Sequence, residues 1–281
     1  MIRLSVRVAR AEAESVLAEL LELAPGGLEE RDDGEEIVEY VIYGAPGELP
    51  AMPDVRAAAG ATLVGVSTSE VPDDWDERWK AFHRPVEVSG ALGRVRVRPP
   101  WEASEGDAID VCIDPAQAFG TGAHATTRLC LELLLDQANR PAGGFADWGT
   151  GSGVLAVVAA KLGYSPVVAV DFDPLSVEAC SENARVNGVG LEARRVDLRA
   201  EAGPWAPTVC ANLLRPLLLA VAERLPRAPE LLIVSGLLVD EADEVAAAFA
   251  ACGMTEADRR TSGEWAAVAL TSNPVGDPAA A

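Results

Sequence analysis

Asp147-Trp148-Gly149-Thr150-Gly151-Ser152-Gly153 places three glycines at alternate positions between a short strand and a long apolar helix, and Val170-Asp171-Phe172-Asp173 follows on the next strand. Glycine at these places allows a tight turn and lets another molecule approach the backbone. A helix beginning near Val154 points free N–H groups and a partial positive charge toward the same crevice. A carboxylate at the tip of the second strand, Asp171, is placed to accept from ribose hydroxyls. Together these features predict a nucleoside-cofactor site rather than a plain strand-to-helix turn.

The dinucleotide fingerprint spaces its glycines G-x-G-x-x-G, whereas this chain has G-x-G-x-G. That spacing suits the methionine-bearing half of S-adenosylmethionine (AdoMet) better than a pyrophosphate.

Outward from this turn, strands alternate with helices. Helices are expected near 125–138, 152–163, 174–187, 213–224 and 238–251, and strands near 144–147, 167–171, 191–197, 207–211 and 230–235. Continuous apolar strands of this kind imply a parallel sheet covered on both faces. Two strands (94–98 and 109–113) precede it, and segments near 253–258 and 264–271 are expected to add antiparallel edge strands. Residues 1–71 read as βαββαβ, a small ferredoxin-like unit with no chemistry-bearing cluster, so docking suits it better than catalysis. A linker helix is expected over 72–84, with Trp75, Trp79 and Phe82 on one face, and the catalytic domain over 85–271. The tail from Ser272 to Ala281 is expected to be disordered.

With 44 acidic against 23 basic residues the net charge is −21, which excludes a basic nucleic-acid footprint and disfavours direct DNA binding. A basic protein substrate would be attracted; solubility explains such acidity equally well. The five cysteines are far apart and lie in apolar runs, which reads as buried reduced thiols, and with two histidines no metal site is expected. Residues 2–8 alternate as a strand and show no signal peptide, and no apolar stretch is long enough to span a bilayer, so a cytoplasmic protein is expected.

Two further segments narrow the chemistry. In Asp114–Thr127, Phe119 flanked by small residues suggests a flap whose ring covers a ligand, or else a structural Ω-loop, and Thr126-Thr127 are placed to cap the next helix. Asn212, just past an apolar strand, faces the crevice of Gly149 and Asp171 or simply caps the helix after it.

Asp114–Thr127, Asp147–Gly153, Asp171–Pro174, Glu182-Asn183-Ala184 with Asn187-Gly188, Ala211–Leu214 and Ser235-Gly236-Leu237 resemble the PrmA family, the bacterial methyltransferases of the large-subunit ribosomal protein numbered eleven. The likeness runs from about Trp75 to Trp265, with Ala125, Trp148 and Leu213 as departures that remove no polar contact. It implies a class I AdoMet-dependent methyltransferase of Rossmann-like fold with a ferredoxin-like substrate domain. The reaction it implies is N-methylation of lysine side chains and of the N-terminus of that ribosomal protein. By position the implied cofactor contacts are Thr127, Gly149, Asp171 and Asn212, with Gly151 and Phe119 beside them and Asn212 also catalytic. A related enzyme acting on another protein or a small molecule, and a non-catalytic AdoMet-binding factor, are the competing readings.

Overall fold

The computed structural model describes residues 2–10, 13–24, 28–32, 36–44, 49–70, 83–115, 122–136 and 143–272. Of the linker helix expected over 72–84, residues 72–82 lie outside the described residues, as do Phe119 with its neighbours and the tail after Ser272, and His83 and Arg84 are not helical. Ser272 itself belongs to a strand. The chain divides into two units, Met1–Trp79 and Lys80–Ala281.

The first unit runs β1 (Ile2–Ala9), α1 (Ala13–Leu23), β2 (Glu29–Asp32), β3 (Ile37–Gly44), α2 (Met52–Ala59) and β4 (Leu63–Glu70). Its sheet order is β2-β3-β1-β4, antiparallel throughout, which is the ferredoxin-like arrangement. Alternation in β1 turns Leu4, Val6 and Val8 onto a core shared with Val16, Leu20, Tyr40 and Val55. The buried Tyr40 hydroxyl donates to the Ala13 carbonyl at 2.8 Å, so its one polar atom is satisfied. On the opposite face Arg3 pairs with Glu39 at 2.9 Å.

The second unit opens with a three-stranded sheet of β5 (Val86–Gly90), β6 (Gly93–Arg98) and β7 (Ile109–Cys112). β5 is an addition to the two strands expected here; Val86-Glu87-Val88 is too short an alternation to stand out, and pairing with β6 is what makes it a strand. There follow α3 (Ala125–Leu135), β8 (Phe145–Trp148), α4 (Val154–Leu162), β9 (Val167–Asp171), α5 (Pro174–Val186) and β10 (Glu192–Arg195). The chain continues through β11 (Thr208–Asn212), α6 (Arg215–Glu223), β12 (Leu231–Leu238), α7 (Ala242–Ala250), β13 (Met254–Ser262) and β14 (Trp265–Ser272).

These strands form one sheet in the order β10-β9-β8-β11-β12-β14-β13. The first five are parallel, and β14 pairs antiparallel with both β12 and β13. Of the two late strands β13 alone is at an edge, with β10 at the opposite one; β14 lies inside the sheet, and the expectation that it forms an edge is corrected. The chain first moves outward from β8 to β10 and then restarts on the other side with β11, so the crevice at the carboxyl ends of β8 and β11 is the switch point where ligands bind such sheets.

Helices cover both faces. α3, α4 and α5 pack on one side with Phe145, Ala169, Cys210 and Ile233, while α6 and α7 pack on the other with Val170, Val209, Leu232 and Val234. Eight of the eleven residues of α3 are buried, because the helix is wedged between the large sheet and β5. Burying a leucine contributes roughly 1.5–3 kcal/mol, so Leu131, Leu133, Leu134 and Leu135 make α3 a major anchor of the site it helps to build. Four of the five cysteines are buried; Cys252 is half-buried, which narrows the expectation for that residue.

Candidate functional site

A cavity of about 700 Å³ opens at the switch point, within the size range of small-molecule sites. Gly149, Gly151, Asp171 and Asn212 all line it. The glycine turn is fixed by the Gly149 and Thr150 amides, which donate to the Val170 carbonyl at 2.8 and 3.0 Å. Gly149 has φ of 76°, and a Cβ there would lie 2.3 Å from Cδ2 of Leu213. Gly236 approaches the same residue from the other side, where a Cβ would lie 2.5 Å from the Leu213 carbonyl oxygen. Leu213 is thus threaded between two glycines, and this fixes where the preceding Asn212 stands.

The Asp171 carboxylate is held at the tip of β9 by two backbone amides. Oδ2 accepts from Gly151 at 3.0 Å and Oδ1 from Asp173 at 3.1 Å. Each oxygen keeps acceptor capacity on the cavity side. Behind the turn, Asp147 is fully buried; Oδ2 accepts from the Thr150 hydroxyl at 2.7 Å and Oδ1 has no hydrogen-bond partner. Burial pushes its pKa up to about 7, the Thr150 hydroxyl opposes that rise, and the Asp171 charge adds to it.

Asn212 is the last residue of β11 and does not cap α6, whose N-cap is Leu214 without a side-chain bond. Its Nδ2 donates to the hydroxyls of Thr126 at 3.2 Å and Thr127 at 3.4 Å. Those threonines do not cap α3 either; His124 does, Nδ1 accepting from the Thr126 amide at 3.4 Å, which corrects the expected cap. Because that amide can only donate, Nδ1 is the unprotonated nitrogen. The Thr126 hydroxyl, 2.8 Å from Nδ1, then donates to it and must accept from Asn212. The chain of bonds has one polarity, and it leaves Asn212 Oδ1 as the amide atom open to a ligand. Thr126 lines the cavity, whereas Thr127 is buried behind Asn212. The segment holding Phe119 is outside the described residues.

Several lining residues were not singled out from the sequence. Beside the tips of β9 and β10 stand Phe172, Asp197, Leu198 and Arg199, the guanidinium lying 4.5 Å over the Phe172 ring. Asp197 follows β10 as Asp171 ends β9, so the same strand-tip rule would have found it. At the other end are His124 and Trp265, rings 5.0 Å apart, edge to face. His124 lies within the Asp114–Thr127 segment, yet only the fold reveals that it orients Asn212 through the Thr126 hydroxyl.

The asparagines of the Glu182–Gly188 stretch are structural. Asn183 Nδ2 donates to the Ser152 carbonyl at 2.8 Å, and Asn187 brackets Cys112 by accepting from its amide at 2.9 Å and donating to its carbonyl at 2.7 Å. Trp148, a departure from the family pattern, is buried with Nε1 donating to Pro204 at 3.1 Å and touches no part of the cavity.

The lining fits AdoMet. Asp171, Asp173 and Asp197 face Arg199 as the single lysine or arginine among the lining residues, which suits a cationic sulfonium and disfavours a pyrophosphate. Among the described residues no cluster could hold a metal ion, and no helix is long and apolar enough to cross a membrane.

Comparison with known proteins agrees with this geometry. A family model described as "Ribosomal protein L11 methyltransferase (PrmA)" matches residues 55–273. A protein of that name from Pelotomaculum thermopropionicum is 41% identical over 213 residues, 73% of this chain and 68% of the relative. One from Myxococcus xanthus is 34% identical over 286 residues, covering 96% of this chain and 98% of the relative. The crystal structure of ribosomal protein L11 methylase from Lactobacillus delbrueckii subsp. bulgaricus superposes with a TM-score of 0.58 at 28% identity, over 63% of this chain and 94% of that one.

Proposed function

The chain belongs to the ribosomal protein L11 methyltransferase (PrmA) family of AdoMet-dependent protein methyltransferases, and we propose that its acceptors are lysine side-chain and N-terminal amino groups of ribosomal protein L11. Bound AdoMet supplies an electrophilic methyl group on a sulfonium. The residues that would hold it are Asp171 at the ribose, Gly149 and Gly151 along the turn, and Asn212 with Thr126 and Thr127 behind it at the methionine end.

The observation that carries the acceptor assignment is the orientation of Asn212. With Nδ2 committed to the threonines, Oδ1 accepts from the amine N–H and aims the nitrogen lone pair along the cavity. A free lysine amine has a pKa of about 10.4, and the acceptor must be neutral to attack. At the acceptor end the lining residues His124, Leu214, Gly236 and Trp265 include no carboxylate to stabilise an ammonium. Desolvation there favours proton loss without a dedicated base. Residues 1–71 serve as the docking domain for the protein substrate in this reading.

Incubation with labelled AdoMet and, separately, purified L11, whole ribosomes and small amines is the direct test. Label in L11 supports the proposal; label only in a small amine, or binding without turnover, overturns it.

A further inference from the structure

A second cavity, of about 310 Å³, lies in the second unit and shares no lining residue with the first. Its polar lining is His83, Arg84, Arg98 and Arg128, and among the described residues no carboxylate faces it. In a chain with 44 acidic residues and net charge −21, a hollow lined by basic groups alone is a strong departure from the surface around it. The floor is apolar, formed by Val86, Val97 and Ile113.

The basic groups are held differently. Arg98 is fixed, its Nε and Nη2 on Asp110 at 2.7 and 2.8 Å and Nη1 on the Glu102 carbonyl at 2.7 Å, so it is a preorganised wall. Arg128 projects exposed from the first turn of α3, and no described residue pairs with it. That turn separates the two cavities: Ala123 and Arg128 face this one, His124 and Thr126 face the cofactor site.

We propose that this cavity binds an oxyanion carried on an apolar body, a carboxylate or a phosphate, with Arg128 as its principal charge partner. Such an anion meets the exposed Arg128 guanidinium in a cavity whose described lining holds no carboxylate, and its apolar part covers the valines and isoleucine. The site stands apart from the methyl-transfer reading and does not depend on it.

Calorimetry on the full-length protein at fixed ionic strength, with octanoate, inorganic phosphate and octylamine as probes, tests this. Saturable binding of octanoate or phosphate, with none for octylamine, is the expected result; preference for octanoate identifies a carboxylate ligand, and preference for phosphate a phosphorylated one. Arg128→Glu should weaken that binding by about tenfold to a hundredfold, while AdoMet affinity stays within about twofold. Arg84→Glu, at another basic lining residue, is the second variant and should weaken it in the same direction. The proposal is overturned if neither anion binds saturably up to about 10 mM, if both variants bind as the wild type does, or if anion and AdoMet binding fall together.

Discussion

Asp171 has both carboxylate oxygens on backbone amides and still lines the cavity, so truncation removes a charged acceptor and loosens the glycine turn together. Hydrogen bonds to a charged group contribute about 1.5–3 kcal/mol, so Asp171→Ala should weaken AdoMet by about tenfold to a hundredfold in calorimetry. An unchanged affinity in a folded variant would remove Asp171 from the ribose. Asn212→Ala should cut turnover at least about tenfold while shifting Tm by only a few degrees, because the side chain lies at a strand tip and opens little core. Surviving activity with a collapsed Tm would reverse the assignment. Asp147 gives a pH signature. Its folded pKa is raised to about 7, so between roughly pH 4 and 7 the native state keeps a proton that the unfolded chain releases. This group's contribution to stability therefore falls as pH rises through that window, by on the order of 4 kcal/mol. Asp147→Asn should raise Tm at pH 8 and lose that advantage toward pH 4; equal Tm differences at both pH values would refute it. Asp171 was legible because a strand-tip carboxylate after a glycine turn has few other uses. His124 was not, since its role depends on β11 meeting α3 some eighty residues apart.

At the level of elements, the parallel core was readable because its strands are unbroken apolar runs and its helices carry one apolar face. β14 carried the same signal: Ala266–Leu270 is an uninterrupted apolar run, all of it fully buried, which belongs to an interior strand. Its late position in the chain suggested an edge, and the reversal through β13 explains why it is not one. Val268→Asp, which buries a carboxylate in the middle of the sheet, should cost more than about 4 kcal/mol or abolish folding. Thr255→Lys on the exposed edge strand β13 should stay within about 0.5 kcal/mol in urea titrations. Similar costs at the two positions would contradict the observed strand order. Caps were the least legible feature. A threonine pair ahead of an apolar run reads as a cap, but the helix already begins at Ala125, so both threonines fall inside its first turn and His124 occupies the cap position.

For the whole molecule, every residue assigned to methyl transfer lies in the second unit, and the first carries its own core. A fragment starting near Val71 should therefore bind AdoMet with near-native affinity yet lose most activity on L11, because docking energy brings the amine to the methyl group. Full activity of that fragment on L11 would deny the docking role of residues 1–71.

The threading of Leu213 between two glycines makes the mutational landscape around the site asymmetric. The obstacle to an alanine at 149 is the far end of the Leu213 side chain, whereas at 236 it is the Leu213 main-chain carbonyl. A compensating substitution can shorten a side chain and cannot move a carbonyl. Leu213→Ala should thus restore part of the AdoMet affinity lost in Gly149→Ala, the remainder reflecting strain at positive φ. The same substitution should restore nothing in Gly236→Ala. The two positions then differ in evolvability: drift at 149 has a second-site escape through 213, and drift at 236 has none there.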